Sequence, residues 1–234
     1  MMDKNKKTAR VTGLLYLVIF ICAGFGEGFV RSNIIISGDA AATANNIMAS
    51  EGLFRLGFVS DLIAFLSDAI VSILLYVLLR PVSRKLALIA ASLRLLAHPA
   101  IASLNLLNHF FALHLLSGAD YLTVFSTDQL HAMVLLFLEA HDTGYLIAGV
   151  FFGFHLFILG YLLYKSDLFP SALGLLVAVA ASGYLVESFG SFLFPGYKVF
   201  YAWIVGITAV VGELSLSLWL LIKGVKFNQH SMVD

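Results

Sequence analysis

Cysteine is almost missing from this chain: Cys22 stands alone inside an apolar run, so no intramolecular disulfide can form and its expected role is packing. Charge is scarce too. Charged residues make up 12% of the 234 residues and cancel to a formal net charge of zero, against about 25% in a soluble domain. With no positive excess and no long basic cluster, the sequence offers no footprint for nucleic acid. Metal-site spacings are absent as well: there is no His-x-x-x-His, no Glu-x-x-His and no His-Glu-x-x-His. The nucleophile elbow Gly-x-Ser-x-Gly is not found either, since Glu187-Ser188-Phe189-Gly190 lacks the first glycine. No glycine loop that could cradle phosphate occurs outside the apolar stretches, and no internal repeat or linker divides the chain.

What is abundant is apolar surface. Hydrophobic residues reach 60% and the mean hydropathy is +0.95. The pattern predicts six spans of about 20 residues or more, near 11–30, 54–79, 86–115, 143–164, 169–194 and 199–222. Backbone amides in hydrocarbon must be paired within their own segment, and without alternating strand patterns they are paired in helices. The reading is an all-α, polytopic bundle of six transmembrane helices forming one domain over residues 1–234. The basic start, Lys4 to Arg10, resembles a signal peptide, but the apolar run behind it is long for that role and is read as a retained first span.

Orientation follows from the bias of Lys and Arg towards the cytoplasm. Lys4, Lys6, Lys7, Arg10, Arg80, Arg84, Lys85, Lys165, Lys223 and Lys226 fall on one side, and Arg31, Arg55 and Lys198 on the other. Both termini are therefore expected in the cytoplasm. In the first outer segment Asp39 is placed to cap a short surface helix. Residues 120–139 read as an interfacial helix or an outward extension of the fourth span. Pro99 alone sits mid-span and predicts a kink. Gly24 with Gly28, and Gly149 with Gly153, are spaced for close helix crossings.

The most informative residues are polar ones where hydrocarbon makes them costly, by at least about 2.5 kcal/mol for a charge at the bilayer centre. Counting along each helix from its basic end places Arg94, Glu213, His155 and Asp68 at one depth, ~14 to 18 Å. Arg94 is expected to pair with Glu213 or Asp68. Glu27, Asp61, Asn105 and Glu187 form a second level at ~25 to 30 Å, with His109, His141 and Asp142 about one turn beyond. Stripes on two helices, Asp61 with Asp68 and Arg94, His98, Asn105 with His109, join the levels.

These residues suggest an outward polar cavity, lined by Asp61, Asp68, His98, Asn105, His109 and Glu187, that binds a small amphiphile or ion, with Arg94, His155 and Glu213 at its base. Two alternatives stay open. One is a metal-dependent intramembrane hydrolase acting on lipid, with a divalent ion such as zinc held by His109, His141 and Asp142, or with Asp61 or Glu187 among the ligands. The other is a transporter or proton relay through Asp68, His98 and His155, although matched broken repeats are not visible. Membrane lipids are the expected surroundings, no resident cofactor is required, and oligomeric state is not specified.

The segments RVTGLLY (10–16), LFRLGFVSD (53–61), LYVLLRP (75–81), FFGFHLFILGYLLY (151–164) and LWLLIKG (218–224) resemble a bacterial membrane family catalogued as domain of unknown function 4386. The resemblance covers nearly the whole chain. It implies a six-helix protein of the bacterial cytoplasmic membrane and carries no established reaction, so Asp61, Asp68, Arg94 and His155 inherit no role from it. A looser similarity in polar residue types links the chain to the seven-helix membrane hydrolases that include alkaline ceramidases, but the span count differs and the motifs do not align.

Overall fold

The computed structural model describes residues 2–225, and among them no strand forms. Seven helices carry the fold: α1 (Lys4–Ile34), α2 (Ala40–Ala49), α3 (Glu51–Leu79), α4 (Arg84–His114), α5 (Thr127–Lys165), α6 (Ser171–Leu193) and α7 (Pro195–Ile222). All but α2 are long and apolar enough to cross a membrane. The chain is an all-α multi-pass membrane protein.

Local chemistry sets the ends. The φ of +78° at Gly38 turns the chain, and the Asp39 carboxylate then accepts the Ala42 amide at 2.9 Å to start α2, as expected. At Ser126 a capping box forms: its hydroxyl accepts the Gln129 amide at 3.3 Å, and the Gln129 side chain accepts the Ser126 amide at 2.9 Å. From that start α5 runs unbroken for 39 residues, roughly 58 Å at ~1.5 Å per residue. The segment before the fourth span is thus its extension. About half of α5 exceeds the ~30 Å hydrocarbon core, and α2 lies against its outer part, closing an apolar cluster of Val30, Ile34, Ile47, Phe54, Ala112, Val134 and Leu138.

The six spans pack in chain order, α1 on α3, α3 on α4, α4 on α5, α5 on α6 and α6 on α7, and α7 closes the ring against α1. Both described chain ends emerge together, since a Cβ on Gly224 would come within 3.1 Å of the Lys6 stem. That end holds the larger apolar core, with Leu75, Leu78, Leu156, Leu159, Leu162, Leu216 and Leu220. Lys226 lies outside the described residues.

Two seams depend on missing side chains. A Cβ on Gly174 would lie 2.5 Å from the Gly160 carbonyl oxygen, and one on Gly13 would lie 2.5 Å from the Leu221 amide nitrogen. Gly149 and Gly153 likewise face Ser188 and Leu185 of α6 closely. Gly24 and Gly28 do not: a Cβ on either meets open space. They instead belong to a π-helical stretch, Gly24–Arg31, inside α1. Similar stretches interrupt α4 at Leu96–Ala102, around Pro99, and α7 at Val210–Leu214. The expected kink at Pro99 takes this form because proline withholds one amide from the helical ladder and crowds the preceding turn.

Gly174→Val should destabilise the bundle by about 1–3 kcal/mol, read as a lower thermal midpoint in detergent, whereas Gly28→Ala should leave the midpoint in place. Equal responses would mean that glycine contact does not set the α5–α6 seam.

Candidate functional site

At the level of Arg94, five side chains from four helices converge. Arg94 is fully buried; its Nη2 donates to Asp68 Oδ1 at 2.5 Å and its Nη1 to the Tyr16 hydroxyl at 2.6 Å. Nη1 also lies 3.1 Å from His155 Nε2. His155 Nδ1 is 2.8 Å from the Ala90 carbonyl oxygen, an acceptor only, so this nitrogen carries the proton and Nε2 turns its lone pair to the arginine. The guanidinium also lies over the rings of Tyr16 and Phe152, at 4.6 and 5.1 Å from their centroids. A planar, permanently charged group with several donors can be held this way where a lysine could not. Its Nε alone finds no partner.

Of the two partners expected for Arg94, Asp68 is the one bound. Glu213, at the same depth, accepts instead from the Tyr184 hydroxyl at 2.8 Å. The π-helical turn at Val210–Leu214 carries Glu213, and an inserted residue rotates a side chain about the helix axis without changing its depth much.

His98 completes this level. Its Nδ1 lies 3.2 Å from Asp68 Oδ2, and its ring packs between Phe65 and Phe152, 6.0 and 4.6 Å between centroids. Unlike its neighbours it is open, with a side chain 19% exposed. Because Asp68 is already paired with Arg94 and offers acceptor lone pairs, Nδ1 is the nitrogen that donates to it, and Nε2 makes no hydrogen bond among the described residues.

The outer level is organised by a residue that the charge count had placed outside the membrane. Arg31, 3% exposed, sends Nη1 and Nη2 to the two carboxylate oxygens of Asp61 at 2.6 and 3.3 Å and Nε to Glu27 at 2.6 Å. Here α1 continues four residues past the expected end of its span, and the π turn swings Arg31 inward. Gly26 keeps the approach free, since a Cβ there would lie 2.7 Å from Asp61 Oδ1. The signal for this pair was in the sequence: Glu27 and Arg31 are four apart, and Asp61 in α3 needed a cation at its own level.

Beside it, Asn105 donates to the His141 carbonyl oxygen at 2.6 Å and reaches the His141 ring, in space that a side chain on Gly144 would fill. His109 stacks on Phe54 at 3.9 Å and meets His141 edge-on at 5.7 Å. His109 Nδ1 and His141 Nε2 are buried without partners. Asp142 is exposed and Glu187 half-buried, and neither forms a hydrogen bond or ion pair among the described residues. Among those residues no group of three or more His, Cys, Asp or Glu side chains is placed to hold a metal ion.

Phe65 packs against both His98 and Tyr145, at 6.0 and 6.2 Å, and Tyr145 lies under Arg31 at 6.0 Å. The two ionic levels are therefore separated by an aromatic pair. Two larger recesses lie elsewhere: ≈410 Å³ at the end where α2 packs, lined by Met48, Glu51, Arg55, Phe110 and His114 among others, and ≈370 Å³ at the opposite end beside Lys6 and Arg10. A gap of ≈10 Å³, about one water, adjoins His155 and Ser72. None of the six residues expected to line a shared cavity borders these spaces.

Removing one member of a buried ion pair strands the other, at about 3–5 kcal/mol. Asp68→Leu and Arg94→Met should each lower the thermal midpoint in detergent strongly, and the double variant that combines them should be less unstable than their sum. Strict additivity would show that the pair is not coupled.

A sequence model of the family described as Domain of unknown function (DUF4386) matches residues 11–224. An uncharacterized protein of the archaeon Archaeoglobus fulgidus is 31% identical over 164 residues, 69% of this chain and 80% of its own. No solved structure matches.

Proposed function

We propose, for a chain that belongs to the family Domain of unknown function (DUF4386) and inherits no assigned reaction from it, that it binds a small amphiphile with a hydrogen-bond-donating head at the Asp68–His98 pair. The observation that carries this reading is the geometry of His98. Its side chain is partly exposed, its Nδ1 faces Asp68, its Nε2 makes no hydrogen bond among the described residues and is an acceptor in the neutral ring, and Phe65 and Phe152 pack against it. A hydroxyl, amine or ammonium head suits that acceptor, and an apolar body suits Phe65 and Phe152. Anionic heads suit it poorly, because carboxylates outnumber arginines among the buried groups: Asp61, Asp68 and Glu213 against Arg31 and Arg94.

The three π-helical stretches support the same reading. They carry Glu27 with Arg31, His98, and Glu213, and such insertions occur mostly where side chains must be re-aimed for a task.

Medium-chain alkylamines and alcohols should raise the thermal midpoint of the purified protein in detergent, alkyl carboxylates of equal length should not, and His98→Ala should abolish the shift while His98→Gln, which keeps a polar atom, retains part of it. An identical response of His98→Ala and wild type, or equal shifts with alkyl carboxylates, would refute the assignment.

A further inference from the structure

Independent of the His98 site, a second amphipathic recess lies at the opposite end of the bundle, where α1 and α7 meet. The two helices touch at Gly13, whose carbonyl accepts the Ser217 hydroxyl at 3.1 Å, and again where Gly224 lies against the Lys6 stem. Beside this seam is a space of ≈370 Å³ lined by Lys6, Lys7, Arg10, Val11, Leu14 and Leu221.

Its lining is sorted along the helix axis. Lys6, Lys7 and Arg10 occupy the first turns of α1 and are exposed, and none forms a hydrogen bond or ion pair through its side chain among the described residues. Below them on the same face come Val11 and Leu14, 41% and 52% exposed, opposite Leu221. From Lys6 to Leu14 the drop is ~12 Å, which carries the lining from the headgroup zone into hydrocarbon. Three cations above an apolar floor match one kind of molecule, with its negative charge at the interface and its chain along the helix. Arginine offers a planar fork to phosphate oxygens and lysine a compact charge. A soluble anion would use the cations and leave the floor bare.

We infer that this recess is a binding site for a phospholipid with an anionic head, its phosphate held by Lys6, Lys7 and Arg10 and one acyl chain lying on Val11, Leu14 and Leu221. The lipid thereby acts as a removable strut between the first and last helices of the ring.

The test is lipid retention by the full-length protein, followed by native mass spectrometry after extraction from vesicles containing equal phosphatidylglycerol and phosphatidylcholine. One phosphatidylglycerol should be retained preferentially. Lys6→Gln/Lys7→Gln/Arg10→Gln should weaken retention about tenfold or more, and Leu14→Trp, which fills the floor without changing charge, should weaken it too. A matched triple change, Arg80→Gln/Arg84→Gln/Lys85→Gln, should leave retention intact. Equal retention of both lipids, an equal loss in the matched control, or displacement by inorganic phosphate alone with Leu14→Trp unaffected would each overturn the lipid assignment.

Discussion

Arg94 is the constraint from which the rest of this bundle follows. A guanidinium cannot shed its proton, and in hydrocarbon it must be surrounded by acceptors or faces that answer its charge. Asp68, Tyr16, His155 and the rings of Tyr16 and Phe152 do so from α3, α1 and α5. Those contacts fix how far each helix sits along the bundle axis and which face it turns inward. Arg31 repeats the arrangement nearer the outer end with Asp61 and Glu27.

Satisfying two such centres asks for side chains in directions that regular helices do not supply. The bundle answers with backbone: π-helical turns at three ionic positions, a proline beside His98, and glycines that leave room for Asp61 and Asn105. Burial of a charge pair is rarely a source of stability in itself, so the apolar clusters at both ends of the ring hold the fold while the ionic levels set its register. The polar core is specific at the expense of being easily broken, which is the usual condition of a site that does something.

Depth was legible in the sequence and direction was not. Helix rise is constant, so counting residues from the basic ends put Arg94, Asp68 and His155 together, and they are together. Glu213 is buried near them, but its hydrogen bond goes to Tyr184. Arg31 was read as a topology charge because counting rules treat the ends of spans as outside, whereas α1 runs on to Ile34. For Tyr16, Tyr145 and Tyr184 the available signal was that a tyrosine well inside a span needs a partner for its hydroxyl. The small-residue spacing that marks close crossings worked for Gly149 and Gly153 and failed for Gly24 and Gly28, whose pattern is the same but whose surroundings are empty.

Phe65 and Tyr145, set between the two arginine centres, leave each centre closed on its own partners, Arg94 on Asp68 and Arg31 on Asp61 and Glu27. A substitution that unbalances one centre therefore leaves the other its own counter-charge, so the two can be altered one at a time.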